Sequence, residues 1–245
     1  MLALMSSSYE SEQLLSEYLL MHYGSHEQLM PWKFGPASAL DFPSRTIGYF
    51  PGNQASRALD LGCAVGRSSF ELSRTCDEVV GLDFSESFIK AAERLKTGGA
   101  IDFTMRETGK VITKATASVP GKARPDCVRF QRADAMNLPD DLGGFERVHA
   151  ANLICRLREP VKLLRRLPGL VNKGGHLVLA TPCTWLDEYT PPDCQPPGDT
   201  FEWLSSLLTP HFELMKRADE PFLIRETARK FQWSVSLVTL WQRRD

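Results

Sequence analysis

The ten residues Arg57-Ala58-Leu59-Asp60-Leu61-Gly62-Cys63-Ala64-Val65-Gly66 restrict this chain more than any other stretch. Ala58, Leu59 and Leu61 are apolar and make a short buried strand. Gly62 and Gly66 bracket a tight turn, and Arg67-Ser68-Ser69-Phe70-Glu71-Leu72 opens a helical pattern. Strand, glycine turn and helix in that order begin a nucleotide-binding βαβ unit. Glycine lets the backbone approach a ligand closely, and the helix N-terminus offers free N–H donors there. The spacing is D-x-G-x-x-x-G, with Asp60 on the strand, and not the G-x-G-x-x-G of dinucleotide sites. No second dinucleotide half follows.

Two later strands end in acids. Glu78-Val79-Val80-Gly81-Leu82-Asp83 places Asp83 about 20 residues past the first turn, where an acid accepts hydrogen bonds from ribose hydroxyls. Val128-Arg129-Phe130-Gln131-Arg132 runs into Ala133-Asp134-Ala135-Met136. The three signals together resemble the class I S-adenosylmethionine (SAM) methyltransferases. The resemblance implies that Asp60, Gly62, Cys63, Ala64 and Gly66 hold the amino-acid end of SAM, with S-adenosylhomocysteine as product. It also implies that Asp83 and Phe84 meet the ribose, and that Asp134 and Ala135 lie against the adenine amino group. Ala64 stands where that family usually has a glycine.

The 245 residues suffice for one large α/β domain, and 42% hydrophobic with 24% charged residues is ordinary for a globular chain. The net charge of −1 lacks the basic footprint of a nucleic-acid binder. The one local basic cluster (Arg156, Arg158, Lys162, Arg165, Arg166) falls largely on an amphipathic helix and reads as a solvated face. Cys63, Cys76, Cys127, Cys155, Cys183 and Cys194 form no C-x-x-C pair and have no His at metal spacing. The expectation is a reducing, cytoplasmic setting, with no metal, membrane or nucleic-acid partner. Residues 1–8 lack the basic region of a signal peptide, and no apolar run approaches a membrane span.

Taken in order, residues 9–24 have helical spacing and stop at Gly24. Residues 29–51, rich in proline and aromatics, read as an ordered loop. Strand 57–62, helix 67–75, strand 78–83 and helix 85–97 alternate as a parallel sheet requires. Residues 100–126 break the rhythm, and alternation around Thr108-Gly109 predicts a β-hairpin insertion with a mobile tail at 118–122. The insertion could be a lid, an oligomer contact or an inert excursion. Strand 127–133, strand 144–153, a helix from Glu159-Pro160 through Leu167 and strand 176–180 resume the core. A Pro-rich loop (190–198), helix 199–208 and strands 212–218 and 231–241, joined by 223–230, complete it. The expectation is a single domain over 1–245: an N-terminal helical cap (1–55) on a Rossmann-like core (56–245) with an insertion at about 99–126. Its sheet is seven-stranded and mostly parallel, with an antiparallel last strand.

The flanks are more particular than the core. Residues 9–24, Asp41-Phe42-Pro43-x-Arg45, Ala151-Asn152-Leu153-Ile154-Cys155-Arg156-Leu157 and Thr181-Pro182-Cys183-Thr184-Trp185-Leu186-Asp187-Glu188-Tyr189-Thr190-Pro191 resemble one family. That family is the mercaptohistidine N-methyltransferase of ovothiol biosynthesis, usually the C-terminal domain of a fusion with the non-haem-iron 5-histidylcysteine sulfoxide synthase. The resemblance implies methylation of the π nitrogen of 5-thiohistidine to give ovothiol A, by a chain fused to, or working with, such a synthase.

An amino-acid acceptor wants a cation for its carboxylate, and Arg45, Arg156 and Arg225 are candidates. For Arg45 a surface salt bridge is an equal alternative, and for Arg225 a pairing with Glu226 or Asp219 is the stronger one. The ring wants a flat wall, offered by Trp185, Tyr9 or Phe42, and Asn152 can hydrogen-bond a ring nitrogen. Asn152, Trp185 and Tyr9 are the residues expected nearest the reacting atoms. His22 and Tyr23 are weaker candidates, and no base is assigned. The rival readings are a methyltransferase for histidine or another amine, and a non-catalytic binding protein. Asn152 is followed by Leu-Ile-Cys, not by the Pro-Pro-aromatic run of nucleic-acid methyltransferases.

Overall fold

The computed structural model describes residues 11–244. Ser11 caps the first helix, α1 (Glu12–Tyr23), by accepting the Leu14 N–H. Leu19, Leu20 and Met21 are buried beneath it. A short helix α2 (His26–Leu29) follows with a reciprocal capping box between Ser25 and Gln28. The stretch expected as loop contains a third helix, α3 (Phe42–Ile47). Pro43 sits in its first turn, where a missing N–H costs nothing.

The core then alternates: β1 (Ala55–Leu61), α4 (Arg67–Leu72), β2 (Cys76–Asp83) and α5 (Glu86–Gly98). The insertion is β3 (Ala100–Thr108) and β4 (Val111–Ser118), paired antiparallel. Alternate residues of β3, among them Ile101, Phe103 and Met105, are buried, as its period of two requires. Its tail is tied down: Val119 N–H donates to Gly99 O, and the Arg124 guanidinium donates to Ser73 O and Cys76 O. Then come β5 (Val128–Arg132), β6 (Phe145–Ala151), α6 (Pro160–Leu170), β7 (Val171–Thr181), α7 (Thr200–Leu208), β8 (Phe212–Arg225) and β9 (Phe231–Arg243). The connection expected over 223–230 shrinks because β8 runs on to Arg225, opposite Phe231.

Seven strands form one sheet in the order β5-β2-β1-β6-β7-β9-β8. The pairs β2·β5, β1·β2, β1·β6 and β6·β7 are parallel, while β9 is antiparallel to both β7 and β8. One apolar layer packs α1, α4, α5 and the hairpin on one face, and another packs α6 and α7 on the other. Strand order reverses between β1 and β6. At such a switch point the two exit loops diverge and leave a crevice beyond the carboxyl ends of the strands. Among the described residues no helix is long and apolar enough to cross a membrane, and all six cysteines are free.

Candidate active site

The glycine turn is built by backbone hydrogen bonds. Gly62 N–H and Cys63 N–H both donate to Leu82 O, at 2.8 and 3.0 Å, and Gly66 N–H closes the turn on Cys63 O. Gly66 has φ +86°, and a Cβ there would lie 2.6 Å from Phe130 Cζ, so only glycine fits. Ala64 holds the turn with φ 47°, which explains both the family's preference for glycine and the strain this chain tolerates. The Asp83 carboxylate joins two loops: Oδ2 accepts the Ala64 N–H at 2.9 Å and Oδ1 the Ser85 N–H at 2.8 Å. Burial nevertheless pushes its pKa up to about 6.

A cavity of about 280 Å³ opens at this point. Gly62, Cys63, Ala64, Asp83, Phe84, Asp134 and Ala135 line one end, all read from the sequence as cofactor contacts. Asp134 Oδ1 accepts the Met136 N–H. Asn152, Arg156, Pro182, Thr184 and Tyr189 line the exit loops of β6 and β7. Asn152 adopts φ 55°, and its Oδ1 accepts the Ser236 hydroxyl at 2.7 Å, which aims its NH₂ as a donor. Arg156 stacks over the Tyr189 ring at 4.8 Å and donates through Nη1 to Thr184 O. The lining also includes Tyr18, Met21 and His22 from α1, Phe42 and Pro43 from α3, and Phe222, Ile224, Gln232 and Ser234 from the β8–β9 hairpin.

Five sequence candidates stand elsewhere. Asp60 is 1% exposed and does not line the cavity. Its Oδ1 lies 2.8 Å from His149 Nδ1, and its Oδ2 accepts the Ser69 hydroxyl at 2.6 Å, so it braces the turn from below. Gly66 serves packing, not lining. Arg45 is not a free anchor: it pairs with Glu220 at 2.8 Å and donates to Pro221 O, tying α3 to β8. Arg225 is buried and pairs with Glu107 of the insertion hairpin at 2.5 Å, not with Glu226 or Asp219, and it also donates to Gln28 O. Trp185 turns away from the cavity: its Nε1 donates to Thr200 Oγ1 at 3.0 Å and its ring meets Trp203 edge-on. Tyr9 lies outside the described residues. Tyr23 is engaged through its hydroxyl, which donates to Val65 O at 2.7 Å.

His149 escaped the sequence reading. It lies opposite Asp60 in the register of β6 and β1, is 1% exposed, and places Nε2 3.0 Å from Thr46 Oγ1 on α3. The available signal was a polar residue at the centre of each of two adjacent apolar strands. The wall from β8 and β9 also went unread, because the strand was expected to end at 218 and residues 223–230 to be a connection, whereas β8 runs on to Arg225.

Residues 32–234 match a family described as a methyltransferase domain. The chain belongs to this methyltransferase domain family. Solved structures share the fold at low identity. N-methyltransferase NodS from Bradyrhizobium japonicum WM9, in complex with S-adenosylhomocysteine, has TM-score 0.57 at 14% identity, covering 94% of this chain and 99% of that one. A putative methyltransferase from Bacillus halodurans C-125 has TM-score 0.54 at 14% identity, covering 82% and 97%. A structure described by the conversion of a disulfide bond into a thioacetal group during echinomycin biosynthesis has TM-score 0.57 at 16% identity, covering 98% and 92%. No curated protein sequence matches the chain. The fold is that of class I SAM-dependent methyltransferases, and SAM is the cofactor of this methyltransferase domain.

Proposed function

We propose that this methyltransferase is a small-molecule N-methyltransferase acting on the π nitrogen of 5-thiohistidine to give ovothiol A. One observation carries the reading. The four flanking stretches that resemble the ovothiol enzymes are far apart in sequence, yet each contributes to the same cavity: Tyr18 and His22, Phe42 and Pro43, Asn152 and Arg156, and Pro182, Thr184 and Tyr189. These stretches are the cap and the exit loops, the parts of this fold that border an acceptor.

The residues present fit SAM. The Asp83 carboxylate already takes two backbone N–H groups and, with its pKa raised by burial, gains from further donors such as ribose hydroxyls. Asp134 offers an oxygen for the adenine amino group, and Gly62, Cys63 and Ala64 border the amino-acid end. When bound, SAM supplies a methyl group activated on a sulfonium and open to in-line displacement.

The chain's own contribution is alignment and exclusion of water. Asn152 presents its amide NH₂, held by Ser236, to the acceptor. Arg156 is the candidate for the acceptor's carboxylate, since it lines the cavity, whereas Arg45 and Arg225 do not and are paired with Glu220 and Glu107. The acids lining the cavity among the described residues are Asp83 and Asp134, both on the cofactor side. The acceptor end therefore suits an anionic thiolate and carboxylate better than a cationic amine. Phe42, Phe222 and Ile224 form the dry wall against which a flat ring packs. Holding nitrogen, carbon and sulfur in line is the main catalytic device in this reading. In this reading the chain works with an iron sulfoxide synthase, fused or separate.

The test is methyl transfer followed by mass spectrometry, with SAM and either thiohistidine or histidine. The expected result is a singly methylated product from thiohistidine and little from histidine. Equal turnover of histidine, or turnover of neither while S-adenosylhomocysteine still binds, contradicts the acceptor assignment and leaves the fold and cofactor standing.

A further inference from the structure

We infer that His22 is a contact for the methyl acceptor, and that it acts as an uncharged hydrogen-bonding group and not as the base. The inference rests on the acceptor reading above and extends it to a residue on the N-terminal helix.

Three observations converge on His22. Its ring lines the cavity together with Tyr18 and Met21 of α1. Its Nδ1 is buried and has no hydrogen-bond partner among the described residues. A buried polar atom left in that state is costly, and native sites that keep one have a use for it. Finally, the ring is held in place. Tyr18 stacks on it with centroids 5.9 Å apart, and the Arg67 guanidinium donates to the His22 carbonyl at 2.8 Å, fixing the last turn of the helix.

The surroundings decide the ring's charge. Burial, with the positive Arg67 close by, pushes the His22 pKa down to about 3, against an opposing pull from Asp60. The ring is therefore neutral at any working pH, and storing a proton on it would be strongly unfavourable. A methylated ring nitrogen that must lose a proton passes it to solvent or bears it on leaving. His22 instead offers one lone pair and one N–H, the complement of a heteroaromatic ring or thiol that also carries both. That complementarity favours such a ring over an alkylammonium acceptor, which has donors only.

The test is calorimetric binding of thiohistidine to the protein saturated with S-adenosylhomocysteine, using the full chain, with His22→Gln and His22→Phe beside the wild type. The expected result is at least about tenfold weaker acceptor binding in His22→Phe and within about threefold of wild type in His22→Gln, where a hydrogen-bonding group is kept. S-adenosylhomocysteine affinity should be unchanged in both, which also shows that the fold is intact. Undiminished acceptor binding in His22→Phe overturns the inference alone. Parallel loss of S-adenosylhomocysteine affinity in both variants overturns it too, assigning His22 to the cofactor or to the fold. Absence of thiohistidine binding in the wild type overturns the acceptor reading and the inference with it.

Discussion

Asp83 gives the site a pH dependence whose sign follows from its surroundings. Burial raises its pKa to about 6, so the folded chain holds this proton more tightly than the unfolded chain does. In the proposed reading ribose hydroxyls donate to the ionised carboxylate, so cofactor binding favours the form present above that value. S-adenosylhomocysteine affinity should therefore be flat above the pKa and weaken by up to about tenfold per pH unit below it. Asp83→Asn should bind weakly at every pH and abolish the slope. Titration calorimetry at several pH values checks both, and a slope that survives in Asp83→Asn would move the titrating group elsewhere. Asp83 and Asp134 were legible in the sequence because a strand-end acid is placed by the strand itself. Arg45, Arg225 and Trp185 were not. Their long side chains choose partners that only the tertiary structure brings near: Glu220 for Arg45, Glu107 for Arg225 and Thr200 for Trp185. Asp60 looked like a ligand contact for a similar reason, since its partner His149 lies on a strand 89 residues away.

At the level of elements, the insertion hairpin is a brace and not an inert excursion. Glu107 of β3 pairs with the buried Arg225 of β8 and accepts the Ala228 N–H through its carbonyl. The buried face of β3 packs in the same apolar layer as α1, the helix that carries Tyr18 and His22 to the cavity. Removing the partner of a buried guanidinium leaves a charge without compensation, though Glu107 is 24% exposed and solvent can reach the gap. Glu107→Ala should therefore cost about 1–3 kcal/mol. That corresponds to a fall of about 2–4 °C in melting temperature per kcal/mol for a chain of this size. Amide exchange should rise in β3, β4 and α1 while β1 and β2 stay protected. An unchanged melting temperature with unchanged exchange would reduce the hairpin to decoration. Alternation around Thr108-Gly109 revealed the hairpin itself, but the turn chemistry carries no record of what its edge would meet.

For the whole molecule, the sheet and its switch point follow from the alternation of apolar strands and capped helices. They carry one coarse conclusion, a SAM-dependent methyltransferase. The acceptor proposed for this chain depends on what surrounds the sheet: the α1–α3 cap, the exit loops of β6 and β7, and the β8–β9 hairpin, all of which line the cavity. Cap and exit loops were visible as unusual sequence. The hairpin wall was missed because residues 223–230 were expected as a connection, and only the pairing with β9 shows that β8 carries Phe222 and Ile224 in strand. The most direct test of the account uses SAM with a ¹³C-labelled methyl and locates that methyl in the thiohistidine product by heteronuclear NMR. A correlation from the methyl to the ring carbons flanking the π nitrogen is the predicted result. A methyl on sulfur or on the other ring nitrogen would contradict the alignment proposed for this cavity.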